Sequence, residues 1–192
     1  MASTYEQLTG EIDTLLESFS AFAVAIDGMK YAGKSTLAAH LSKKYGAPVL
    51  HMEDFLLPQS ERPDNWEDTP GGGVDFARFR EEIYLAWKEK RPIAYSLRNP
   101  VTGEDVKRMI LPEARMYIVE GTYATHPEIP DFYDLRIFCR VSAEEQVKRA
   151  NAGEGLSMAE LARERAYFAT YLTEELSDVV VDEGLMLPPL EE

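Results

Sequence analysis

Apolar residues along this chain follow two patterns that alternate from one end to the other. Short uninterrupted apolar runs are typical of buried strands, and they occur at 22–26, 49–52, 116–119, 135–141 and 179–181. Apolar residues at helical spacing are typical of amphipathic helices, and they occur at 4–19, 34–45, 76–90, 142–150 and 158–177. Because strands that alternate with helices form parallel βαβ units, we predict an α/β fold. This would be a three-layer α/β/α sandwich around a mainly five-stranded parallel sheet.

Polar residues at several predicted helix starts fit this division. Thr4 and Gln7 have the spacing of a capping box, in which each side chain bonds the backbone N–H of the other residue. Asp75 and Ser142 stand at the starts of two further predicted helices and are suitable N-caps.

The interval 91–112 interrupts the alternation of strands and helices. Two apolar stretches at 93–97 and 106–111 flank the turn sequence Asn99-Pro-Val-Thr-Gly103. This arrangement predicts a β-hairpin inserted at the edge of the sheet where ligands bind. No repeat, low-complexity stretch or linker divides the rest, so we expect a single domain over 1–192.

The composition is ordinary for a soluble globular protein, with 45% apolar and 28% charged residues. No apolar stretch has the length of a membrane span and the N-terminus lacks a signal pattern, so we expect no membrane partner. The single Cys139 cannot form an internal disulfide, which favours a cytoplasmic location. A net charge of −14 repels the phosphates of nucleic acid, so we expect no nucleic-acid partner. Whether the chain forms a homo-oligomer stays open.

The strongest chemical signal is Gly-Met-Lys-Tyr-Ala-Gly-Lys-Ser-Thr at 28–36, a G-x-x-x-x-G-K-[ST] phosphate loop between a predicted strand and a predicted helix. Gly28 and Gly33 permit unusual dihedral angles that bring backbone N–H groups close to phosphate oxygens. Lys34 supplies positive charge for the β- and γ-phosphates, and the Ser35 hydroxyl can ligate Mg²⁺. The alternative is a chance glycine-rich turn, but four defined positions with these flanks favour a nucleoside triphosphate site. The residues expected to bind the nucleotide are Gly28, Met29, Lys30, Tyr31, Ala32, Gly33, Lys34, Ser35 and Thr36.

Carboxylates follow two further predicted strands. Glu53 and Asp54 come after 49–52, and Glu120 comes after 116–119. In open α/β sheets, ligands bind at the carboxyl ends of the strands, so these acids should converge on the triphosphate. Phosphoryl transfer needs a metal partner and a group that orients the attacking hydroxyl, and carboxylates can serve both purposes. A solvated loop pair or a helix cap is the alternative for Glu53 and Asp54.

The chain resembles uridine kinase-like P-loop kinases, most closely the bacterial branch, in an ordered set of segments. These are the phosphate loop, 51–58, 70–79 and 119–123. Further similarity lies in segments from 133 to 182, so the resemblance covers nearly the whole chain from about residue 20. It implies the P-loop kinase fold with a short lid at about 149–157, and transfer of the γ-phosphoryl group from ATP, with Mg²⁺, to a hydroxyl. The implied acceptor is a nucleoside-like small molecule. A kinase for another small alcohol or riboside, or a regulatory NTPase with little transferase activity, is the alternative.

The resemblance also implies roles for individual residues. Glu53 occupies the position of the family's acceptor-orienting Asp, and Asp54 is the second candidate for this base. Glu120 matches an acid that, with Ser35 and Glu53, would be near the metal. Arg149, at the start of the lid, would stabilise the charge that develops on the transferred phosphoryl group. Lys34 is the other basic residue expected to be catalytic.

The acceptor pocket implied by the resemblance consists of Asp75 and Tyr95, with Arg98 nearby. Asp75 would accept from sugar hydroxyls, although an N-cap role alone also explains it, and Tyr95 is alternatively a half-buried strand aromatic. The chain has Arg98-Asn99-Pro100 where uridine-binding members have a histidine. Arg98 therefore either favours an anionic acceptor or is a surface residue that pairs with Glu104.

The lid region lacks the second arginine that the family places after Arg149. Arg163 or Arg165 is a candidate substitute from the following helix. The alternative is that either arginine is a solvated partner of Glu160 or Glu164 at helical spacing.

Overall fold

The computed structural model describes residues 2–153, 155 and 157–189 of the chain. In chain order, its strands are β1 (Phe22–Gly28), β2 (Val49–His51), β3 (Ala94–Arg98), β4 (Asp105–Ile110), β5 (Met116–Glu120), β6 (Leu135–Cys139) and β7 (Val179–Val181). Five of them form a sheet in the order β2-β5-β1-β6-β7, with every neighbouring pair parallel. Strands β3 and β4 form a separate antiparallel hairpin. The predicted parallel sheet and inserted hairpin are confirmed.

The helices are α1 (Tyr5–Ser18), α2 (Lys34–Tyr45), α3 (76–88), α4 (Ala143–Ala152) and α5 (Met158–Tyr171). Helix α3 contains a π-helical turn at Arg80–Tyr84, and 3₁₀ turns occur at Met52–Phe55 and Gln59–Glu61. The capping box of Thr4 and Gln7 is present, and Asp75 and Ser142 accept backbone N–H groups at the starts of α3 and α4. The predicted caps are therefore confirmed.

Three of the predicted elements extend too far towards the C-terminus. The helix predicted to reach 177 ends at Tyr171, because Leu172 adopts a left-handed conformation with φ of 50°. The strand predicted over 135–141 ends at Cys139. Met52 leaves its predicted strand and begins a 3₁₀ turn that carries Glu53 and Asp54.

Two apolar cores lie on opposite faces of the sheet. Phe22, Val24 and Ile26 of β1 pack with apolar residues of α1 and α2 on one face. Ala23 and Ala25 pack with α3 and the hairpin on the other face. Because β1 is covered on both sides, all its residues are buried, and its apolar run is uninterrupted up to the last two positions. The three predicted layers are confirmed.

The register of the sheet aligns three strand ends. Glu120 at the end of β5 pairs with Ile26 of β1 and with His51 of β2, while Gly28 pairs with Cys139 of β6. The segments that follow β1, β2 and β5 therefore leave three adjacent strands at the carboxyl end of the sheet. Among the described residues, no helix combines the length and apolar character needed to cross a bilayer.

Candidate functional site

The loop after β1 has the backbone conformation predicted for phosphate binding. Gly28 and Gly33 have φ values of 133° and 90°, a region that L side chains rarely adopt. A Cβ atom at Gly28 would lie 2.0 Å from the carbonyl oxygen of Cys139, so the neighbouring strand also requires glycine there. Tyr31 has a positive φ of 64° within the same loop. The predicted dihedral role of the two glycines is confirmed.

The ammonium group of Lys34 folds back over the loop. Its Nζ donates to the carbonyl oxygens of Gly28 at 2.8 Å and Met29 at 2.9 Å. An ammonium group has three N–H donors, so one donor remains that can be directed at a phosphate oxygen. The two bonds hold the charge at the first turn of α2, where the helix dipole also favours an anion.

The hydroxyl of Ser35 lies beside the carboxylate at the end of β5. Ser35 Oγ is 3.2 Å from Glu120 Oε2 and 3.3 Å from Oε1. Glu120 is buried, and its Oε1 is 2.5 Å from Nδ1 of His51 on β2. The hydrogen bond with Glu120 raises the pKa of His51, although burial opposes this shift. Ser35 and Glu120 were both predicted to lie near the metal, and the structure brings them together. The contact of Glu120 with His51 was not predicted.

A buried carboxylate missed by the sequence reasoning connects the loop to the segment after β5. Asp27 is fully buried and accepts five hydrogen bonds, from the N–H groups of Gly28, Tyr123 and Thr125 and from the hydroxyls of Thr125 and Tyr167. A buried charge is tolerated only when its hydrogen-bonding capacity is used, and here every partner is a donor. The available signal was an acid directly after the apolar run of β1, within a strand that is buried throughout.

The phosphate loop opens into a cavity of about 670 Å³. Glu53, the segment after β5, helices α4 and α5, and the loop between residues 56 and 74 complete its walls. Of the predicted nucleotide-binding residues, Gly28, Met29 and Ala32 lie behind the lining. The six that line the cavity are Lys30, Tyr31, Gly33, Lys34, Ser35 and Thr36.

Basic side chains slightly outnumber carboxylates among the residues that line this cavity, although the chain as a whole is acidic. Arg149 from α4 and Arg163 from α5 line it together with Lys30 and Lys34. Arg149 Nη1 donates to the Tyr31 carbonyl at 3.0 Å, which attaches α4 to the phosphate loop. Its Nε pairs with Glu145 at 2.8 Å. Local cations can therefore attract a polyanion that the net charge of the protein would repel.

A buried carboxylate of α5 also contacts the phosphate loop. Glu164 Oε2 accepts from the backbone N–H of Lys30 at 2.6 Å, and its Oε1 accepts from Gln146 at 3.0 Å. Burial raises the pKa of Glu164, whereas these two hydrogen bonds lower it. Lys30 Nζ pairs with Glu160 of the same helix at 3.2 Å. Helix α5 is thus fixed against the loop by the backbone N–H and the ammonium group of Lys30.

The structure distinguishes the two candidate lid arginines on α5. Arg163 lines the cavity, lies over the ring of Trp66 at 4.9 Å and pairs with Glu67 at 3.7 Å. The alternative pairing of Arg163 with Glu160 or Glu164 is wrong, and Arg165 is exposed. The lid predicted at about 149–157 includes residues 154 and 156, which lie outside the described residues.

The 56–74 loop forms a further wall of the cavity, and only its two ends, within the segments 51–58 and 70–79, entered the family resemblance. It is closed at its base by a bridge between Leu56 and Val74. Trp66 packs inside it, since a Cβ atom at Gly72 would lie 2.8 Å from the Trp66 carbonyl and one at Gly73 would lie 3.3 Å from its ring. Arg62 places its guanidinium carbon 4.5 Å from the same ring.

The base of this loop is also fixed by His126. Its Nε2 lies 3.1 Å from the carbonyl of Pro70, and its Nδ1 accepts the backbone N–H of Glu128 at 3.2 Å. The ring stacks on Phe76 with centroids 4.4 Å apart. Burial lowers the pKa of His126 to about 4. These contacts fix the neutral tautomer with the proton on Nε2, because Nδ1 is already used as an acceptor.

Glu53 and Asp54 point to different surroundings although they are adjacent. Glu53 lines the cavity, together with Ser35 and Glu120. Asp54 accepts a hydrogen bond from the Tyr95 hydroxyl at 3.0 Å, and its carbonyl accepts from Arg78. The 3₁₀ turn therefore directs one acid to the phosphate loop and the other to the hairpin.

The three predicted acceptor-pocket residues lie outside the lining of the cavity. Tyr95 is buried against Phe55, and Asp75 caps α3, so the structural alternatives stated for both are present. Arg98 pairs with Glu61 at 2.6 Å and lies 3.8 Å from Asp75. The predicted pairing of Arg98 with Glu104 is therefore wrong. A substrate role for the three residues remains a prediction.

A parallel sheet of order β2-β5-β1-β6-β7 with a glycine-flanked phosphate loop after its central strand defines the P-loop kinase fold. A solved structure of a possible uridine kinase from Bacillus stearothermophilus is similar, with a TM-score of 0.66 and 20% identity over 92% of this chain and 100% of that one. D-glycerate 3-kinase from Cryptococcus neoformans var. grubii is also similar, with a TM-score of 0.54 and 12% identity over 90% of this chain and 87% of that one. No protein-family model and no curated protein matches the sequence. At these identities the likeness establishes the fold.

Proposed function

We propose that the protein is an ATP-dependent phosphotransferase that moves the γ-phosphoryl group to a hydroxyl of a small, nucleoside-like molecule. The observation that carries this proposal is that Lys34, Ser35, Glu120 and Glu53 line one cavity. A loop suited to phosphate and a carboxylate then share a cavity of about 670 Å³, which has room for a triphosphate and a small acceptor.

On the nucleotide side, the loop N–H groups and Lys34 would hold the triphosphate. Ser35 and Glu120 supply oxygen donors, which fit Mg²⁺. Among the described residues, no group of three or more His, Cys, Asp or Glu side chains could hold a metal by itself. This fits a magnesium ion that shares one or two protein ligands with substrate phosphates. When bound, Mg²⁺ would neutralise negative charge on the β- and γ-phosphate oxygens.

On the acceptor side, Glu53 is the better candidate for the base because Asp54 is engaged by Tyr95. In the proposed step, the acceptor hydroxyl gives its proton to the Glu53 carboxylate, and its oxygen forms a bond to the γ-phosphorus. The bond from the γ-phosphorus to the β,γ-bridging oxygen breaks, and ADP leaves. Arg149 and Arg163 would stabilise the charge that develops on the transferred group.

The resemblance to uridine kinase-like sequences supports a nucleoside-like acceptor. The names of the two similar structures, a possible uridine kinase and a D-glycerate 3-kinase, agree with a small molecule that bears a hydroxyl. We further propose that the chain acts as a single kinase domain, with the hairpin at about 91–112 and the lid at about 149–157 serving the same site.

A coupled ADP-release assay across nucleosides, other ribosides and small alcohols tests this function. We expect at least one acceptor to raise ADP release well above the acceptor-free rate, and Lys34→Ala to abolish the increase. Lys43→Ala, an exposed lysine on the same helix, is the matched control. Slow ADP release that no acceptor raises would favour a regulatory NTPase and contradict the kinase proposal.

A further inference from the structure

The wall that the 56–74 loop contributes to the cavity carries a cation of its own. Arg62 lines the cavity from the 56–74 loop, whereas Lys34 and Arg149 line it from the phosphate-loop side. Glu53 is the carboxylate nearest in sequence to Arg62 among those that line the cavity. The proposed function assigns Glu53 to the acceptor hydroxyl. It gives Arg62 no part in the transfer step, although Arg62 lines the same cavity.

Arg62 is held in place by contacts that leave most of its hydrogen-bonding capacity unused. Its Nε donates to the Leu57 carbonyl at 3.1 Å, and its guanidinium lies on Trp66 at 4.5 Å. A guanidinium has five N–H donors, and only this one bonds to protein among the described residues. The two terminal nitrogens therefore remain for water or for a ligand, in an orientation fixed by the Trp66 ring.

The charges around Arg62 make its lack of an acidic partner informative. The chain has 34 acidic and 20 basic residues, so acids are plentiful. The nearby Arg98 and Arg163 form ion pairs with Glu61 and Glu67. No Asp or Glu within the described ranges forms an ion pair with Arg62. A partly buried, oriented guanidinium of this kind is suited to bidentate binding of a carboxylate or phosphate.

Trp66 supports the arginine rather than offering a free face. Two guanidinium groups, those of Arg62 and Arg163, already lie over its ring, and the Gly72–Gly73 backbone packs against it. Such cation–π contacts orient the charged groups without neutralising them. The wall therefore offers positive charge more than an aromatic platform for a base.

We propose that the acceptor carries an anionic group, a carboxylate or a phosphate monoester, that Arg62 binds while the acceptor hydroxyl faces Glu53. This inference rests on the proposed kinase function and narrows its acceptor to anionic hydroxy compounds. Arg62 acts as a specificity-determining residue, and the phosphoryl-transfer step is the one described above.

Matched sets of neutral and anionic acceptors test the proposal. The sets are glycerol with glycerate and glycerol 3-phosphate, ribose with ribose 5-phosphate, and uridine with its 6-carboxylate, orotidine. ADP release is measured for the wild type, Arg62→Gln, Arg62→Lys and the control Arg80→Gln, an exposed arginine of α3. Calorimetric titration of the same compounds into protein saturated with Mg²⁺ and a non-hydrolysable ATP analogue measures binding without turnover.

We expect an anionic member of at least one set to exceed its neutral partner at least tenfold in kcat/KM. Arg62→Gln should lower that value about 10- to 100-fold, the size of one or two charge-assisted hydrogen bonds, with the KM for ATP unchanged. Arg62→Lys should restore part of the loss, and Arg80→Gln should match the wild type. The carboxylate and phosphate members show which anion is bound.

Two results would overturn the proposal while leaving the kinase function intact. One is a neutral partner that is used as well as, or better than, the anion in every set. The other is an Arg62→Gln variant with a raised KM for ATP and an unchanged preference among acceptors, which would assign Arg62 to the triphosphate. If no acceptor raises ADP release, the proposed function fails, and calorimetry then decides about the anion site. Equal binding of anionic and neutral compounds would reject that site as well.

Discussion

The replacement of Asp27 by Asn tests whether the carboxylate beneath the phosphate loop holds the site together. Both oxygens of Asp27 accept hydrogen bonds: Oδ1 from the N–H groups of Gly28 and Tyr123, and Oδ2 from Thr125 and the Tyr167 hydroxyl. An amide must direct its NH₂ group at one of these sets. In the less costly orientation, the NH₂ group takes the Oδ2 position, where the Thr125 and Tyr167 hydroxyls can turn to accept from it, and the Thr125 N–H loses its acceptor and faces another donor.

The cost has two sources, the donor left without a partner and the loss of the negative charge. A buried donor without an acceptor costs about 1–3 kcal/mol, and the remaining hydrogen bonds become neutral and weaker, so Asp27→Asn should lower the free energy of unfolding by about 4 kcal/mol in all. That is a large part of the roughly 5–15 kcal/mol that stabilises a typical domain. Tyr167→Phe removes one donor from the same carboxylate and should cost about 1 kcal/mol.

Asp134→Asn is the matched control, because Asp134 accepts a single hydrogen bond from the same strand, at Ala23 N–H, and is exposed. We expect a loss of about 1 kcal/mol or less for this variant. Urea unfolding followed by circular dichroism at constant pH gives the three values, provided the m-value is unchanged. A loss for Asp27→Asn within 1 kcal/mol of that for Asp134→Asn would refute the reasoning.

Three further predictions concern the phosphate loop, the proposed catalytic base Glu53, and His126, which fixes the 56–74 loop. Gly28→Ala should lower the free energy of unfolding, measured in urea, by about 1–3 kcal/mol more than Gly33→Ala does, because only the first Cβ would collide with Cys139; equal losses would contradict this. Glu53→Asp should raise turnover if the family geometry holds, and Glu53→Gln should lower kcat about 100-fold or more with little change in the KM for ATP; a Glu53→Gln enzyme with normal kcat would remove Glu53 from the mechanism. The pKa of folded His126, lowered to about 4, lies below its ordinary value of about 6.5, so the unfolded state binds more protons between these pH values. Unfolding free energy should fall by at most about 1.4 kcal/mol per pH unit as pH falls through this range, and a His126→Gln variant with the same pH slope in urea titrations would contradict the assignment.

Local sequence patterns were sufficient for the sheet and for the phosphate loop. The apolar run of β1 is buried on both faces, and the glycines and Lys34 that follow it have the conformation expected from their residue types. These features depend on neighbours in the chain, which the sequence displays directly. Helix ends were less certain, since the left-handed residue that ends α5 is Leu172 and not a glycine.

The wall formed by the 56–74 loop could not be derived in this way. This loop is polar and turn-rich and has no periodic pattern. Trp66 packs on Gly72 and Gly73, and Arg62 in turn lies on the Trp66 ring. The directions of Glu53 and Asp54 depend on a 3₁₀ turn that begins at Met52, the last residue of the predicted strand. Both facts depend on tertiary contacts that span many residues of the chain.

The central claim is that the phosphate loop and Lys34 bind a nucleoside triphosphate in this cavity. Its most direct test is a calorimetric titration in which a non-hydrolysable ATP analogue, with Mg²⁺ present, is added to the wild type, Lys34→Ala and the control Lys43→Ala. The account predicts that Lys34→Ala binds about 10- to 100-fold more weakly, through loss of one charge-assisted contact, and that Lys43→Ala binds like the wild type. Affinity that is the same for Lys34→Ala and the wild type, or no binding to either, would contradict the account.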